Sequence, residues 1–122
     1  MEHSPGFLKL VQDAKSRVRE VSVDQTRSKL EKGGAKLIDV REDSEWAVGH
    51  ARGARHLGKG VIERDIEKQI PDKTAEIILY CGGGFRSALS ADALQRMGYT
   101  NVASMAGGWR AWQESGGPVE KG

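Results

Sequence analysis

A predicted strand, a glycine-rich loop and a predicted helix follow one another without a break in the middle of the chain. Residues 77–79 form a short apolar run bounded by polar residues, which predicts a buried strand. Residues 88–97 predict a helix, because Leu89, Ala93 and Met97 recur at a spacing of four. The loop between these elements holds Cys81, the only cysteine of the chain, followed by three glycines. The cysteine is therefore expected at the end of a core strand, facing the first turn of a helix.

This loop has the composition of an anion pocket. Consecutive glycines let backbone N–H groups turn toward one point, and a helix N-terminus adds unpaired N–H groups and the positive end of its dipole. Arg86 adds a planar positive charge. Such surroundings favour the thiolate form of a cysteine. We interpret Cys81 as a nucleophile rather than a structural core cysteine, and expect the pocket to be formed by Gly82, Gly83, Gly84, Phe85, Arg86 and Ser87.

Composition limits the classes of partner and compartment. The chain has 122 residues, enough for one domain with a real core, and 30% of them are charged. A net charge of +2 is too small to indicate a nucleic-acid partner, and no apolar run is long enough to span a membrane. A single cysteine excludes an internal disulfide or a second thiol, so sulfur chemistry must finish on another molecule. We expect a cytoplasmic protein that is a monomer or a weak dimer.

Strand and helix patterns alternate along the remaining sequence. Strands are predicted at 20–23, 36–40, 55–57 and 101–105, and helices at 4–18, 24–32, 43–48 and 61–70, with a last helix that carries Trp109 and Trp112. The predicted N-caps are Ser4, Asp24, and Asp43 or Ser44. Residues 49–54 are predicted as loop, and the polar tail after 118 as frayed.

This alternation predicts an α/β protein with a mostly parallel sheet and helices on both faces. In such sheets the binding crevice lies at the carboxyl ends of the strands. Three segments leave predicted strand ends: Arg41, the Cys81 loop and the Gly107-Gly108 pair. We expect them to converge on one pocket.

Three separate segments together resemble the single-domain rhodanese-like sulfurtransferases over about residues 19–118. Residues 37–41 with Glu45 and His50 resemble the first signature of that family, residues 81–87 its active-site loop, and residues 106–109 with Trp112 its closing signature. The sequence departs from the family after His50, where Ala51-Arg52 replaces the usual Ile-Pro. The resemblance implies a three-layer domain over residues 19–122, with a central, mostly parallel five-stranded sheet. An amphipathic helix over residues 1–18 lies outside it.

The resemblance also implies an activity. Cys81 would accept sulfane sulfur from an anionic donor such as thiosulfate and pass it, as a persulfide, to cyanide, a thiol or a protein. No metal and no organic cofactor are needed for this thiosulfate sulfurtransferase chemistry. A non-enzymatic sulfur relay or interaction module stays open as an alternative.

A cysteine phosphatase or arsenate reductase is the competing chemistry. Its signature places five residues between the cysteine and the arginine, whereas four separate Cys81 from Arg86. It also needs a general acid, for which Asp39, Asp43 and Glu45 are the candidates nearby in sequence. The shorter loop and the lack of a motif for the acid favour sulfur transfer.

Several further residues admit two interpretations. Arg41 is either a second anion ligand or a partner in a structural ion pair, and Asp39 is expected to anchor loop N–H groups. His50 and His56 are interpreted as loop histidines rather than as a base or metal pair, because no further ligands accompany them. Ser87 is expected to contact the sulfur, to cap the helix, or both.

Overall fold

Five parallel strands form the central sheet of the computed structural model, which describes residues 3–122. Residues 3–122 contain seven strands, of which β3 and β7 lie outside this sheet. They are β1 (Arg19–Val21), β2 (Ala35–Asp39), β3 (His50–Ala51), β4 (Arg55–His56), β5 (Glu76–Tyr80), β6 (Val102–Met105) and β7 (Val119–Glu120). The helices are α1 (Pro5–Lys15), α2 (Val23–Glu31), α3 (Asp43–Val48), α4 (Ile62–Gln69), α5 (Phe85–Arg96) and α6 (Gly108–Glu114). The main sheet has the order β1-β6-β5-β2-β4, and all its pairs are parallel. The predicted α/β class is confirmed.

Strand β5 lies at the centre of the sheet and is buried on both faces. Its alternate side chains enter two separate cores. Ile77 and Leu79 pack with α4 and α5, whereas Ile78 and Tyr80 pack with α2 and α6. This two-sided burial explains why the strand is an unbroken apolar run rather than an alternating one. It also fixes the position of the loop that follows.

Helix α5 begins three residues earlier than predicted, at Phe85, because Gly84 serves as its N-cap. Leu89, Ala93 and Met97, whose spacing predicts this helix, are only partly buried. The sheet and α1 both pack on α5, so burial extends around the helix. The buried positions are Ser87, Ala88, Ser90, Ala91, Asp92 and Leu94.

The predicted caps of two other helices also shift. Ser22 caps α2 in a reciprocal capping box with Gln25, and Asp24 is already inside the helix. Glu42 occupies the N-cap of α3, and its N–H donates to Glu45. Ser4 is the N-cap of α1, as predicted, but its hydroxyl makes no capping hydrogen bond. Helix α1 ends at Lys15, three residues short of the predicted end.

The predictions of loop at 49–54 and of a frayed tail are wrong at two residues each, which form strands. Strands β3 and β7 pair antiparallel in a second, two-stranded sheet, with His50 opposite Glu120 and Ala51 opposite Val119. The Trp112 indole N–H donates to the Pro118 carbonyl at 2.8 Å, which holds the tail against α6. These contacts join segments that are distant in sequence, so no local pattern indicates them.

Helix α1 docks on the outer side of α5. Val11 and Ala14 are buried in the contact. Arg17, just after the helix, donates to Asp92 of α5 through Nε at 3.0 Å and Nη2 at 2.8 Å. The ion pair and the apolar contact therefore fix α1 relative to α5 and to the Cys81 loop that precedes it. No helix within residues 3–122 is long and apolar enough to cross a membrane.

Candidate active site

Cys81 directly follows β5, at the carboxyl edge of the sheet. The residue is 1% exposed, and it lies at the base of a cleft. The Gly84 N–H donates to Cys81 Sγ at 3.1 Å, and Ser87 Oγ lies 3.5 Å from the same sulfur. Ser87 Oγ is in turn 2.7 Å from Ser104 Oγ of β6. A backbone amide and a serine hydroxyl therefore meet at the sulfur, where they can stabilise negative charge.

Gly84 makes this geometry possible. Its φ of 100° is in the left-handed region, which a residue with a side chain adopts only with strain. In this conformation the Gly84 N–H points back to the sulfur while the chain enters α5 at once. Ser87 is then the third residue of the helix, so it contacts the sulfur without being the N-cap.

Gly107 and Gly108, at the start of α6, pack directly on the Cys81 loop. The Trp109 N–H donates to the Cys81 carbonyl at 2.7 Å, and the Arg110 N–H donates to the Gly82 carbonyl at 3.2 Å. A Cβ built on Gly108 would overlap the Cys81 carbonyl oxygen. This close approach brings the Cys81 loop and the Gly107-Gly108 segment together, as their positions after adjacent strands predict.

Arg86 lies over the loop, and its charge is already paired. Its Nη1 and Nη2 donate to Glu45 of α3 at 2.8 and 3.2 Å. The hydrogen bond from Arg86 lowers the pKa of Glu45, and the same bond raises the pKa of Arg86. Both side chains line the cleft above Cys81. An anion that binds Arg86 must therefore compete with a carboxylate for it.

Arg41 occupies a different place. Its guanidinium is buried, and it donates to both carboxylate oxygens of Asp39 and, through Nη2, to the Gly49 carbonyl at 2.7 Å. It lies 4.7 Å from the ring centroid of Trp109. Asp39 also accepts the Arg41 N–H at 2.9 Å. The structure thus supports the ion-pair interpretation of Arg41, whose side chain faces a neighbouring cavity rather than the Cys81 cleft.

The rings of Trp46, His50 and His56 pack against each other. The rings of Trp46 and His50 stack with centroids 3.4 Å apart, and His56 Nε2 lies 2.8 Å from the Arg41 carbonyl oxygen. Across residues 3–122, no three His, Cys, Asp or Glu side chains group closely enough to hold a metal ion. The interpretation of both histidines as loop residues is wrong, because His50 lies in β3 and His56 in β4, where their rings make these packing and hydrogen-bond contacts.

The cleft above Cys81 has a volume of about 720 Å³. It is lined by His3, Phe7, Glu45, Cys81, Gly82, Gly83, Phe85, Arg86 and Arg110. Sequence reasoning missed His3, Phe7 and Arg110 as cleft residues, and Ser104 behind the sulfur. Ser104 follows from the inward face of β6 and Arg110 from its place after the glycine pair. No sequence signal indicates His3 and Phe7, because they reach the cleft only through the docking of α1.

Comparison with known proteins identifies the family. A model of the rhodanese-like domain matches residues 22–115. The chain belongs to the rhodanese-like family. Among the curated rhodanese-like relatives is the thiosulfate sulfurtransferase GlpE of Actinobacillus pleuropneumoniae serotype 5b (strain L20). It is 32% identical over 101 residues, which cover 83% of this chain and 92% of GlpE. The resemblance drawn from three short segments is confirmed.

Solved structures agree with this assignment. A rhodanese with anions from E. coli has 31% identity and a TM-score of 0.64, covering 72% of this chain and 99% of that one. A Rhodopseudomonas palustris CGA009 protein of unknown function, described as a possible tyrosine phosphatase, has 26% identity and a TM-score of 0.86. The latter similarity covers 98% of both chains, so it extends over helix α1, which the rhodanese-like family model does not include.

Proposed function

We propose that this protein transfers sulfane sulfur from thiosulfate or a similar anionic donor to a thiophilic acceptor through a persulfide on Cys81. One observation carries the proposal. The only thiol of the chain lies at the base of a cleft, with the Gly84 N–H directed at its sulfur. The named activity of GlpE, a thiosulfate sulfurtransferase, supports the choice of donor.

The first step is a displacement at sulfur. The Cys81 thiolate attacks the outer sulfur of thiosulfate, an S–S bond forms to Cys81, and sulfite leaves with the electron pair of the broken S–S bond. The negative charge then rests on the outer sulfur of the persulfide. The Gly84 N–H and the Ser87 hydroxyl are placed beside Cys81 Sγ, and we propose that they and the other loop N–H groups from Gly82 to Ser87 stabilise this anion.

The second step returns the thiolate. A nucleophile attacks the outer sulfur and takes it away, so that cyanide becomes thiocyanate and a thiol becomes a persulfide. Because the chain has no second cysteine, the nucleophile must come from another molecule. Covalent catalysis of this kind gives ping-pong kinetics.

Arg86 is proposed to bind the sulfonate end of the donor. Both of its terminal nitrogens donate to Glu45, so the sulfonate competes with this carboxylate for a guanidinium that has five N–H donors in all. Replacing Arg86 with alanine should therefore mainly raise KM for thiosulfate. Arg41 is not assigned this role, because Asp39 and the Gly49 carbonyl already occupy its guanidinium.

Phosphatase chemistry is the second candidate, since one structural neighbour is described as a possible tyrosine phosphatase. The three carboxylates that could supply the general acid are poorly suited to it. Asp39 is buried against Arg41, and Asp43 is exposed and does not line the cleft. Arg86 lowers the pKa of Glu45, so this carboxyl is ionised at neutral pH and has no proton to give a leaving oxygen. Sulfur transfer needs no such acid.

Intact-mass measurement tests the proposal. Reduced protein incubated with thiosulfate should gain one sulfur, about 32 Da, which cyanide then removes as thiocyanate. Cys81→Ser should gain nothing and should keep the circular dichroism spectrum of the wild type. Full sulfur transfer by Cys81→Ser would overturn the mechanism.

If the wild-type protein gained no sulfur, thiosulfate would be excluded as donor. A protein persulfide offered as donor would then identify a relay, and hydrolysis of a small phosphoester would identify a phosphatase.

A further inference from the structure

The cleft above Cys81 is much larger than the proposed donor. Its volume of about 720 Å³ lies within the range of about 300–1,000 Å³ that is typical of pockets for organic ligands. Thiosulfate has five non-hydrogen atoms, and a water molecule in the liquid takes up about 30 Å³. The donor therefore fills a small part of the cleft, and the walls beyond the loop are free to contact a second, larger substrate.

One side of the cleft is an aromatic wall formed by His3, Phe7 and Phe85. The ring centroids are 4.8 Å apart for His3 and Phe85, 5.3 Å for His3 and Phe7, and 6.2 Å for Phe7 and Phe85. Two of the three rings come from the segment before residue 22, outside the part of the chain that matches the family. The wall is therefore a property of this chain rather than of the rhodanese-like domain.

Arg110 supplies a cation to the same cleft. Its side chain is exposed and makes no ion pair or hydrogen bond with residues 3–122. Its backbone is held by the bond from its N–H to the Gly82 carbonyl, so the side chain starts from a fixed point beside the catalytic loop. Arg86, by contrast, is paired with Glu45. Of the two arginines that line the cleft, Arg110 is the one whose charge has no partner among residues 3–122.

We propose that this cleft selects, as sulfur acceptor, an organic thiol that carries both an apolar body and an anionic group. Phe7 and Phe85 bind the apolar body, and Arg110 binds the anion, so these residues determine acceptor specificity. The inference rests on the proposed function, because it concerns the second half of that cycle. The acceptor thiolate attacks the outer sulfur of the Cys81 persulfide, a new S–S bond forms on the acceptor, and Cys81 leaves as thiolate.

Single-turnover discharge of the persulfide tests this selection. The protein is loaded with thiosulfate, freed of excess donor and mixed with 4-mercaptobenzoate or its neutral analogue 4-mercaptobenzamide. Loss of the extra sulfur is followed by mass. Each thiol is compared with itself across variants, so that differences in intrinsic thiol reactivity cancel.

Arg110→Gln should slow discharge by 4-mercaptobenzoate about threefold to fivefold and discharge by the amide less than twofold, because an exposed charge contributes modestly to binding. Added salt should reduce the effect of Arg110→Gln on the rate with 4-mercaptobenzoate, because salt screens the charge. Phe7→Ala should slow discharge by both aromatic thiols. The matched control is Arg64→Gln, which removes the same charge from an exposed residue of α4 and should change neither rate.

The outcomes separate the two proposals. If the protein takes up sulfur from thiosulfate but Arg110→Gln changes the discharge rates of both thiols equally, or of neither, then the acceptor inference is wrong and the persulfide cycle stands. A protein acceptor that discharges the loaded chain much faster than either thiol, with no dependence on Phe7 or Arg110, would also overturn it. If no sulfur loads, both proposals fail together.

Discussion

Gly108 lies where α6 meets the Cys81 loop, and Gly108→Ala tests whether that contact positions the sulfur. A Cβ at this position would overlap the Cys81 carbonyl oxygen, and it would lie 2.9 Å from the Gly82 carbonyl carbon. These atoms belong to the backbone, so no side chain can rotate away to relieve the overlap. The glycine also has a φ of 52°, which is strained for alanine.

The expected cost follows from these contacts. Ordinary contact begins near 3.4 Å, and the overlap with the Cys81 carbonyl oxygen is the tightest of these contacts, so the start of α6 must move away from the loop by about 1 Å. That movement weakens the two backbone hydrogen bonds from Trp109 and Arg110 to the loop, each of which contributes about 1 kcal/mol. Backbone strain adds about 1 kcal/mol more. We expect the free energy of unfolding to fall by about 3 kcal/mol, and Tm by about 10 °C.

Thermal unfolding followed by circular dichroism measures the stability, and the rate of persulfide formation from thiosulfate measures the effect on the site. The rate should fall at least tenfold, because the loop amides shift relative to the sulfur. Gly116→Ala is the matched control: its φ is 78°, but nothing lies within 4 Å of the added Cβ. Gly116→Ala should lower the free energy of unfolding only by the backbone strain, about 1 kcal/mol. Equal losses of stability and rate in the two variants would refute the packing argument.

Two further predictions concern ion pairs. Glu45→Gln removes the carboxylate that competes for Arg86, so we expect kcat/KM for thiosulfate to rise about threefold or more; an unchanged value would show that Arg86 does not bind the donor. Asp92→Asn should lower the free energy of unfolding by about 1 kcal/mol at pH 7, measured in urea. Because Arg17 lowers the pKa of Asp92, the difference in the free energy of unfolding should shrink as the pH falls below about 4, and a difference that grew or stayed constant with falling pH would contradict the ion pair.

The strand–loop–helix unit could be predicted from sequence because its signals are local. The apolar run of β5 reflects burial on both faces, and the glycines mark the tight entry to α5. The start of α5 was placed three residues late because glycine is a weaker cap signal than serine or aspartate. The order of the elements then determined which loops share the carboxyl edge of the sheet.

The remaining features depend on contacts between distant segments. Strands β3 and β7 have two residues each, too few for any periodic pattern. The pairing of Arg86 with Glu45 joins positions 41 residues apart, and the two interpretations of Arg41 could be separated only by the position of Asp39. The aromatic wall forms only because of the angle at which α1 docks on α5. Neither the composition nor the residue spacing of the sequence indicates this angle.

The depth of the sulfur has a consequence for how the protein is recognised. Cys81 is 1% exposed, so without a bound sulfur its thiol is almost fully buried at the floor of the cleft. In the proposed cycle the second sulfur lies one bond, about 2 Å, further out. The loaded and empty forms then differ by a single atom that stands out from the floor of the cleft, and this difference needs no movement of the backbone. We expect a molecule that enters the cleft to contact the outer sulfur only in the loaded form.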